Sequence, residues 1–474
     1  MFSDKKKIPR QVKDQLTPLI QKLMNICTNT KVLNRQAEWE EMKNIFELLK
    51  SVQDIEASYN PPQWDRNKNW NAFYEWCKDN EAIFSSVFIK EINDGEFGVF
   101  ADKDIKEDEQ FLLIPRKIMM SETSAQSSKL GPLISSDPIL KNMPNVQVSM
   151  HLLMESLNPE SFWMPYISIL PSRYNTIHYF TFEELKDLQG SPVLEEVFQI
   201  FRSIVRQYCY FFLLFQKDTL ADSLNIGPYF TYELYRWAVS SVMTRQNIIP
   251  TTEDGHMSIS LIPLFDMCNH ANGKLSTDFN LEKDSLVSYS FKAFSKGDQV
   301  FMFYGPRTNG EFFVHNGFVY TENENDAIEI KLGISKNDPL HSLKCSVCDK
   351  LNLSVNGPYF LYPVREILEE LLSFVKINVM KSEELEKILN GDKEQIDALL
   401  SENSDLKNRA YSFLRDRLFL LLRSYKTTLE EDEEFLKQDT FESMHQHIAI
   451  LLRLSEKKIL KTSHDYCVSQ LKEL

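Results

Sequence analysis

The 474-residue chain has no apolar run that approaches the ~20 residues a membrane-spanning helix needs, so no transmembrane segment is expected. Its N-terminus, Met1-Phe-Ser-Asp-Lys-Lys-Lys-Ile-Pro-Arg10, carries charge with no apolar stretch behind it, unlike a secretory signal. The seven cysteines, an odd number scattered from Cys27 to Cys467, form no disulfide framework and point to free thiols in a reducing compartment. The expected location is the cytoplasm, with the nucleus as the other compartment that fits. One pair, Cys345-Ser-Val-Cys348, has metal-ligand spacing, but no second pair or nearby histidine completes four ligands, and no metal is expected. Internal repeats and low-complexity tracts are lacking too. Positive charge is in short supply: 53 Lys and Arg against 68 Asp and Glu give a net charge of −15. Nucleic-acid binding depends on neutralising phosphates with basic side chains, so neither nucleic acid nor membrane is an expected partner. A basic protein suits the balance better, and a monomer is expected.

What is present is ample apolar material, 43% of residues, for more than one core in a chain of this length. Residues from about 10 to 55 read as helix, because Trp39, Met42, Ile45, Phe46 and Leu49 recur at three- and four-residue steps. Short β-type runs follow at Val87–Ile89, Gly98–Phe100 and Phe111–Ile114. Helical patterning returns from 122 to about 235, clearest at Val148–Leu157 and Val193–Phe215. It then gives way to β-type runs at Ser258–Ile262, Ser285–Phe291 and Gln299–Tyr304. A β module is thus interrupted and resumed. Beyond about 340 the stripes are helical: Val364, Ile367, Leu368, Leu371, Leu372 and Val375; then Ala410, Phe413, Leu414, Leu418, Leu421, Leu422 and Tyr425; then Ile448–Leu460. The acidic run Glu430–Glu434 reads as a solvated loop or helix start.

Two short segments carry the chemistry. Ile262-Pro-Leu-Phe-Asp-Met-Cys-Asn-His270 ends an apolar run in Asn-His, and Val300-Phe-Met-Phe-Tyr-Gly305 ends another in Tyr-Gly. Together they resemble the signature segments of the SET-domain protein methyltransferases. The helical leader, split β module and helical C-terminal part resemble the subfamily that includes the Rubisco large-subunit lysine methyltransferases. Within it, Trp237-Ala-Val-Ser-Ser-Val-Met-Thr-Arg-Gln-Asn247, Asp266–His270 with Asn272-Gly273, and Phe303-Tyr-Gly305 with Arg307 are most similar to the actin-histidine N-methyltransferases. The resemblance implies an α+β fold: an N-terminal helical segment over 1–84, a split SET β-module with pseudo-knot over 85–305 with a helical insert at about 122–235, and a post-SET segment with an all-helical substrate-binding domain over 306–474.

It also implies S-adenosylmethionine as cofactor and the tele nitrogen of a specific histidine in actin as methyl acceptor. Carried over position by position, the cofactor would be held by Arg66, the backbone around Gly95, Glu96 and Phe97, Arg245, the strand Asp266, Met267, Cys268, Asn269 and His270, and Asn316-Gly317-Phe318. Arg66 would meet its carboxylate or nearby groups, and Asn269 its amine. Tyr304 would sit at the methyl-transfer channel, and Asn247 would separate histidine from lysine chemistry. Phe265, Met302 and Arg307, with Asn247 and Tyr304, would contact substrate. Neutral imidazole, with a pKa near 6.5, can attack a methyl group without a strong base. An amide that accepts the hydrogen bond of its protonated nitrogen aims the other lone pair at the methyl.

Three positions depart from the family pattern. Phe265 replaces a Trp and shrinks one wall of the histidine pocket, Gly95-Glu-Phe-Gly98 displaces the first glycine of the cofactor turn, and Asn316 replaces a Ser. The competing readings are a protein-lysine methyltransferase acting on a basic target and a non-catalytic actin-binding scaffold.

Overall fold

The computed structural model describes residues 6–29, 34–61, 64–93, 95–251, 255–363, 367–438 and 441–473. The chain divides into two compact units. The first comprises Met1–Phe182, Phe198–Gly305 and His315–Gly317, and the second Glu183–Val197, Pro306–Val314 and Phe318–Leu474.

The first unit opens with two helices, Arg10–Thr28 and Arg35–Glu56, where periodicity suggested one continuous stretch. Helix formation restarts at Asn34, whose side chain accepts from the Ala37 amide at 2.9 Å, an N-cap that interior propensity does not reveal. The expected apolar face is real. Met42, Ile45 and Leu49 are buried, Phe46 stacks on Phe201 at 4.3 Å, and Trp39 meets Phe198 edge-on at 4.9 Å.

The β module contains β1 (Val87–Asn93), β2 (Glu96–Ala101), β3 (Gln110–Pro115) and β4 (Met120–Ser121) before the helical insert. After it come β5 (Gln246–Pro250), β6 (Met257–Leu261), β7 (Asn269–His270), β8 (Thr277–Asn280), β9 (Ser285–Tyr289) and β10 (Gln299–Met302). They form three small sheets, ordered β1-β2-β10-β7, β3-β9-β8 and β4-β6-β5. β10 runs antiparallel to β2 and parallel to β7, with Phe301 opposite Asn269 and Met302 opposite His270. This register sets the two signature segments side by side. In the insert, the helices Pro144–Ser156 and Leu194–Lys217 cover the two stretches with the clearest patterning.

The second unit holds β11 (Ile328–Gly333) and β12 (Asn356–Leu361), an antiparallel ribbon with Ile328 opposite Leu361. Helical periodicity passed over this ribbon because β12 begins Asn356-Gly-Pro358, a turn-like start that carries no apolar alternation. The helices Glu369–Val379, Ser404–Leu422 and Met444–Glu473 carry most of the three expected stripes; Val364 lies outside the described residues, Ile367 and Leu368 precede the first helix, and Tyr425 follows the second. The acidic run starts the helix Leu429–Gln438, but it is not solvated throughout. Asp432 is buried, paired with Arg453 at 2.7 Å and Lys457 at 2.6 Å. Two cations four residues apart on one helix supply the partners that a buried carboxylate requires. Among the described residues no helix is long and apolar enough to cross a membrane.

Candidate active site

The helix Tyr232–Arg245 delivers two of the expected residues. Thr231 caps it by accepting from the Leu234 amide at 3.2 Å, and Leu234, Tyr235, Trp237, Ala238, Val239 and Val242 are all buried, so it is a core helix with little freedom to shift. It ends at Arg245 because Gln246 turns extended and Ile248-Ile249-Pro250 favours strand, with β-branched residues ahead of a proline. Asn247 therefore sits on β5, opposite Ser260 of β6, and not at a helix end. Its Nδ2 donates to the Arg245 carbonyl at 3.1 Å, which fixes the amide and leaves Oδ1 as an acceptor.

Phe265–Met267 forms a single 3-10 turn, with Asp266 N–H donating to Ile262 O at 3.1 Å. Its entry is strained: Leu264 has φ +69°, a conformation that a branched side chain rarely adopts. The turn presents Asp266 to Arg245, whose Nη1 lies 2.7 Å from the Asp266 carbonyl and 3.7 Å from its Oδ2. Tyr166 donates its hydroxyl to that same Oδ2. Burial pushes the Asp266 carboxyl upward, opposed by Arg245 and by the Tyr166 hydrogen bond. Burial works to lower the Arg245 guanidinium, but Asp266, Tyr174 and Tyr166 together outweigh it and the group is raised. Phe265 and Met302 are buried, at 4% and 8% exposure, so their side chains present little surface to solvent.

Arg66 closes the site from the first unit's leader. Its Nε donates to Ile169 O at 2.6 Å and its Nη1 to Gly95 O at 3.0 Å, and its guanidinium lies 4.5 Å from the Phe97 ring centre. Burial, with the Arg245 charge second, brings it down to about 10. The displaced glycine is accommodated: Gly95 adopts φ +79°, and its amide donates to Glu91 Oε1 at 2.8 Å. Glu96 is exposed, whereas Phe97 is half-buried, and Phe97 O accepts from Asn269 Nδ2 at 3.2 Å. The Asn269 amide thus ties β7 to β2 and keeps Oδ1 as an acceptor.

Arg66 Nη2 and Arg245 Nη1 both lie 3.8 Å from Met267 Sδ. Two guanidiniums so meet at the Met267 sulfur, with the Asp266 carboxylate acting on both and Glu91 on Arg66 from the Gly95 turn. Arg245 Nε and Asp266 Oδ1 are buried with no protein hydrogen-bond partner among the described residues. Buried polar atoms of this kind are costly unless something satisfies them. An anionic group near the arginines and an amine near Asn269 Oδ1 would match the two ends of an amino-acid-like ligand, so the residues fit the methionyl part of S-adenosylmethionine.

Tyr304 is held at both ends. Its amide donates to His270 Nδ1 at 3.2 Å, and its hydroxyl donates to Cys268 O at 2.8 Å. The first bond places the proton of a neutral His270 ring on Nε2. On the other side, Asn316 Nδ2 donates to Thr244 O at 3.3 Å. Gly317 has φ +77°, and a Cβ there would come within 2.8 Å of the Asn175 carbonyl carbon, so only glycine fits. Phe318 and Arg307 fall in the second unit, where Phe318 stacks on Phe312 at 4.8 Å and the Arg307 carbonyl accepts from Asn323 Nδ2 at 2.8 Å.

The sequence reading missed Tyr166 and Tyr174. Tyr174 donates to Ser241 Oγ at 2.9 Å, and the upward push that burial gives its phenol is opposed by the Arg245 charge. Tyr166 sits in the four-residue helix Met164–Ile167 and Tyr174 in an irregular stretch of the insert, both too short for periodicity to mark them as facing the arginine.

Residues 96–305 match the SET domain family, and residues 335–460 match the Rubisco LSMT substrate-binding family. The chain is 40% identical over 432 residues to the actin-histidine N-methyltransferase of Canis lupus familiaris, covering 90% of this chain and 73% of that relative. With the Homo sapiens protein of the same name it shares 39% over 433 residues, again 90% of this chain and 73% of the relative. A solved structure of the SET domain of LSMT, bound to lysine and AdoHcy, aligns with a TM-score of 0.69 at 20% identity, covering 85% of this chain and 92% of that one, a likeness of fold.

Proposed function

Because the chain belongs to the actin-histidine N-methyltransferase family, we propose that it transfers the methyl group of S-adenosylmethionine to the tele nitrogen of a histidine in actin. The bound cofactor supplies an electrophilic methyl on a sulfonium. The chain's own residues bind and orient. Arg66 and Arg245 hold the anionic end, Asn269 Oδ1 accepts from the amine, and the β2 turn from Gly95 to Phe97 lines the same pocket.

The substrate imidazole needs no base to become a nucleophile near neutral pH, because most of it is already unprotonated. What it needs is a fixed tautomer and a fixed direction. Asn247 Oδ1, free to accept once Nδ2 is held by the Arg245 carbonyl, takes the N–H of the proximal ring nitrogen and directs the tele lone pair at the methyl. Tyr304, whose proton is committed to Cys268 O, offers its lone pairs to the methyl hydrogens as weak C–H···O acceptors. The single observation that supports histidine chemistry is this anchored Asn247 amide on β5. Phe265 in place of a larger indole leaves that pocket roomier, which supports looser selectivity. All seven cysteines are free thiols, which supports a reducing compartment, the cytoplasm first and the nucleus second.

Incubating purified actin with the full chain and methyl-labelled S-adenosylmethionine, then mapping the label by mass spectrometry, tests the proposal. Label on a single histidine is the expected result. Label on lysine, or none under conditions where the cofactor binds, overturns it.

A further inference from the structure

Outside the site, the motif Cys345-Ser-Val-Cys348 remains without a role. It lies on the helix His341–Lys350 of the second unit, and the structure supplies a partner that spacing alone did not suggest. His341, one turn before Cys345, places Nε2 3.5 Å from Cys345 Sγ. Its other nitrogen, Nδ1, lies 3.1 Å from the Ser335 carbonyl oxygen. A carbonyl only accepts, so Nδ1 carries the ring proton and Nε2 presents its lone pair to the thiol. The arrangement of backbone carbonyl, imidazole and thiol is that of a base held in one tautomer against a nucleophile.

From this geometry we propose that Cys345 is a covalent modification site, activated by His341, that undergoes exchange with small soluble disulfides. The thiol proton passes to His341 Nε2. The Cys345 thiolate then attacks one sulfur of the disulfide, the S–S bond breaks, and the departing thiolate takes the proton back from the imidazolium. One mixed disulfide and one free small thiol result, with no other oxidant required.

Selectivity follows from burial. Cys345 is the one cysteine of the seven that is not buried. Burial pushes Cys348 up to about 11 and Cys27 and Cys467 up to about 12, and raises Cys77, Cys209 and Cys268 further. Cys348 also packs in the apolar core of the second unit with Val347, Leu371 and Phe374. It is a poor attacking thiol, so the mixed disulfide at Cys345 persists and does not close onto its neighbour. The charged groups beside the dyad are Asp338 and Lys344, already paired with each other at 2.7 Å.

The experiment treats the native full chain with oxidised glutathione at pH 7 and maps the adduct by mass spectrometry over time. The expected result is a single glutathione on Cys345, none on Cys345→Ser, and formation slowed at least tenfold in His341→Ala and His341→Gln, with free imidazole restoring part of the rate in His341→Ala. An unlabelled Cys348 serves as the sign that each variant is folded, and the glutamine variant replaces the alanine one if Cys348 becomes labelled there. Equal rates in wild type and His341→Gln, or first labelling at another cysteine, overturn the proposal.

Discussion

The Tyr304 hydroxyl donates to the Cys268 carbonyl at 2.8 Å, so the phenol's only proton is spent inside the protein and its lone pairs are what it can offer a ligand. Tyr304→Phe removes that oxygen and almost no volume. The aromatic ring and the amide bond to His270 stay in place, so the fold and cofactor binding are expected to persist. Single-turnover methylation should slow tenfold or more while the cofactor Kd, measured by calorimetry, changes less than about threefold. Unchanged turnover would remove Tyr304 from the reaction.

Asn269 connects two elements. Its Nδ2 bonds Phe97 O across the sheet, and its Oδ1 is the acceptor proposed for the cofactor amine. Asn269→Ala should weaken cofactor binding by an amount matching one or two polar contacts, about 1–3 kcal/mol or roughly 5- to 150-fold in Kd. Asn269→Asp keeps an oxygen for the amine but no donor for Phe97 O, and should retain more affinity than the alanine variant. Equal losses would mean that the strand tie, not the ligand contact, dominates.

The Arg245–Asp266 pair predicts a stability signature. The Asp266 carboxylate is buried and the Arg245 side chain is only 14% exposed, so removing one partner leaves the other charged or forces it to neutralise, a loss on the order of 3–5 kcal/mol for buried pairs in general. Asp266→Ala should therefore lower the urea midpoint strongly, and a double variant lacking both side chains should lose much less than the sum of the two single losses. Additive losses would show that the two residues do not interact.

Glu56 gives a pH prediction far from the site. It is fully buried, accepts from the Tyr208 hydroxyl and from the Tyr232 amide at 2.8 Å, and burial raises it from 4.5 to about 8, against those hydrogen bonds. An acid raised on folding stays protonated in the folded chain while the unfolded chain ionises. Its contribution is fully present below about pH 4.5 and is lost progressively as pH rises to about 8. Glu56→Gln should flatten the stability–pH curve in that window, measured by denaturant titration at several pH values. An unaltered slope would show that Glu56 is ionised in the folded protein.

How much of this was legible in the sequence depends on which interactions repeat. Strands β1–β3, β6, β9 and β10 and the long helices announce themselves through period and β-branched runs, because packing against a core imposes one residue type at regular steps. The signature segments were legible through resemblance, and the pairing of β7 with β10 gives a physical reason for them to recur together. Asn34 as a cap, Asn247 on a strand, buried Asp432 and the tyrosines around Arg245 were not legible. The Asn34 cap and the Asn247 anchor are single local contacts, whereas Asp432 and the tyrosines depend on one partner far along the chain, and a single contact of either kind leaves no repeating pattern. The same holds for His341 and Cys345, which read as unrelated residues until the helix sets them one turn apart with Ser335 fixing the ring.

Selectivity between histidine and lysine provides the strictest test of the proposed function. Asn247 is anchored by its Nδ2 on the Arg245 carbonyl and leaves Oδ1 to hold an imidazole N–H and so fix the tautomer, whereas a lysine amine has no tautomer to fix and must arrive unprotonated from a pKa near 10.4. Asn247→Ala should therefore cut histidine methylation of an actin peptide by roughly 5- to 150-fold, the range of about 1–3 kcal/mol, with the fold and cofactor affinity unchanged. Replacing Asn247 with an aromatic residue while truncating Phe265 to Ala should lengthen the channel and make its walls apolar, raising activity on a peptide with lysine in place of the histidine. Because specificity is a difference between two transition-state affinities, the quantity to measure is the ratio of kcat/KM for the two peptides, in wild type and in the double variant. A fall in that ratio of tenfold or more is the expected outcome. A wild-type preference for the lysine peptide, or a ratio indifferent to Asn247, would transfer the histidine assignment to lysine chemistry on the same fold.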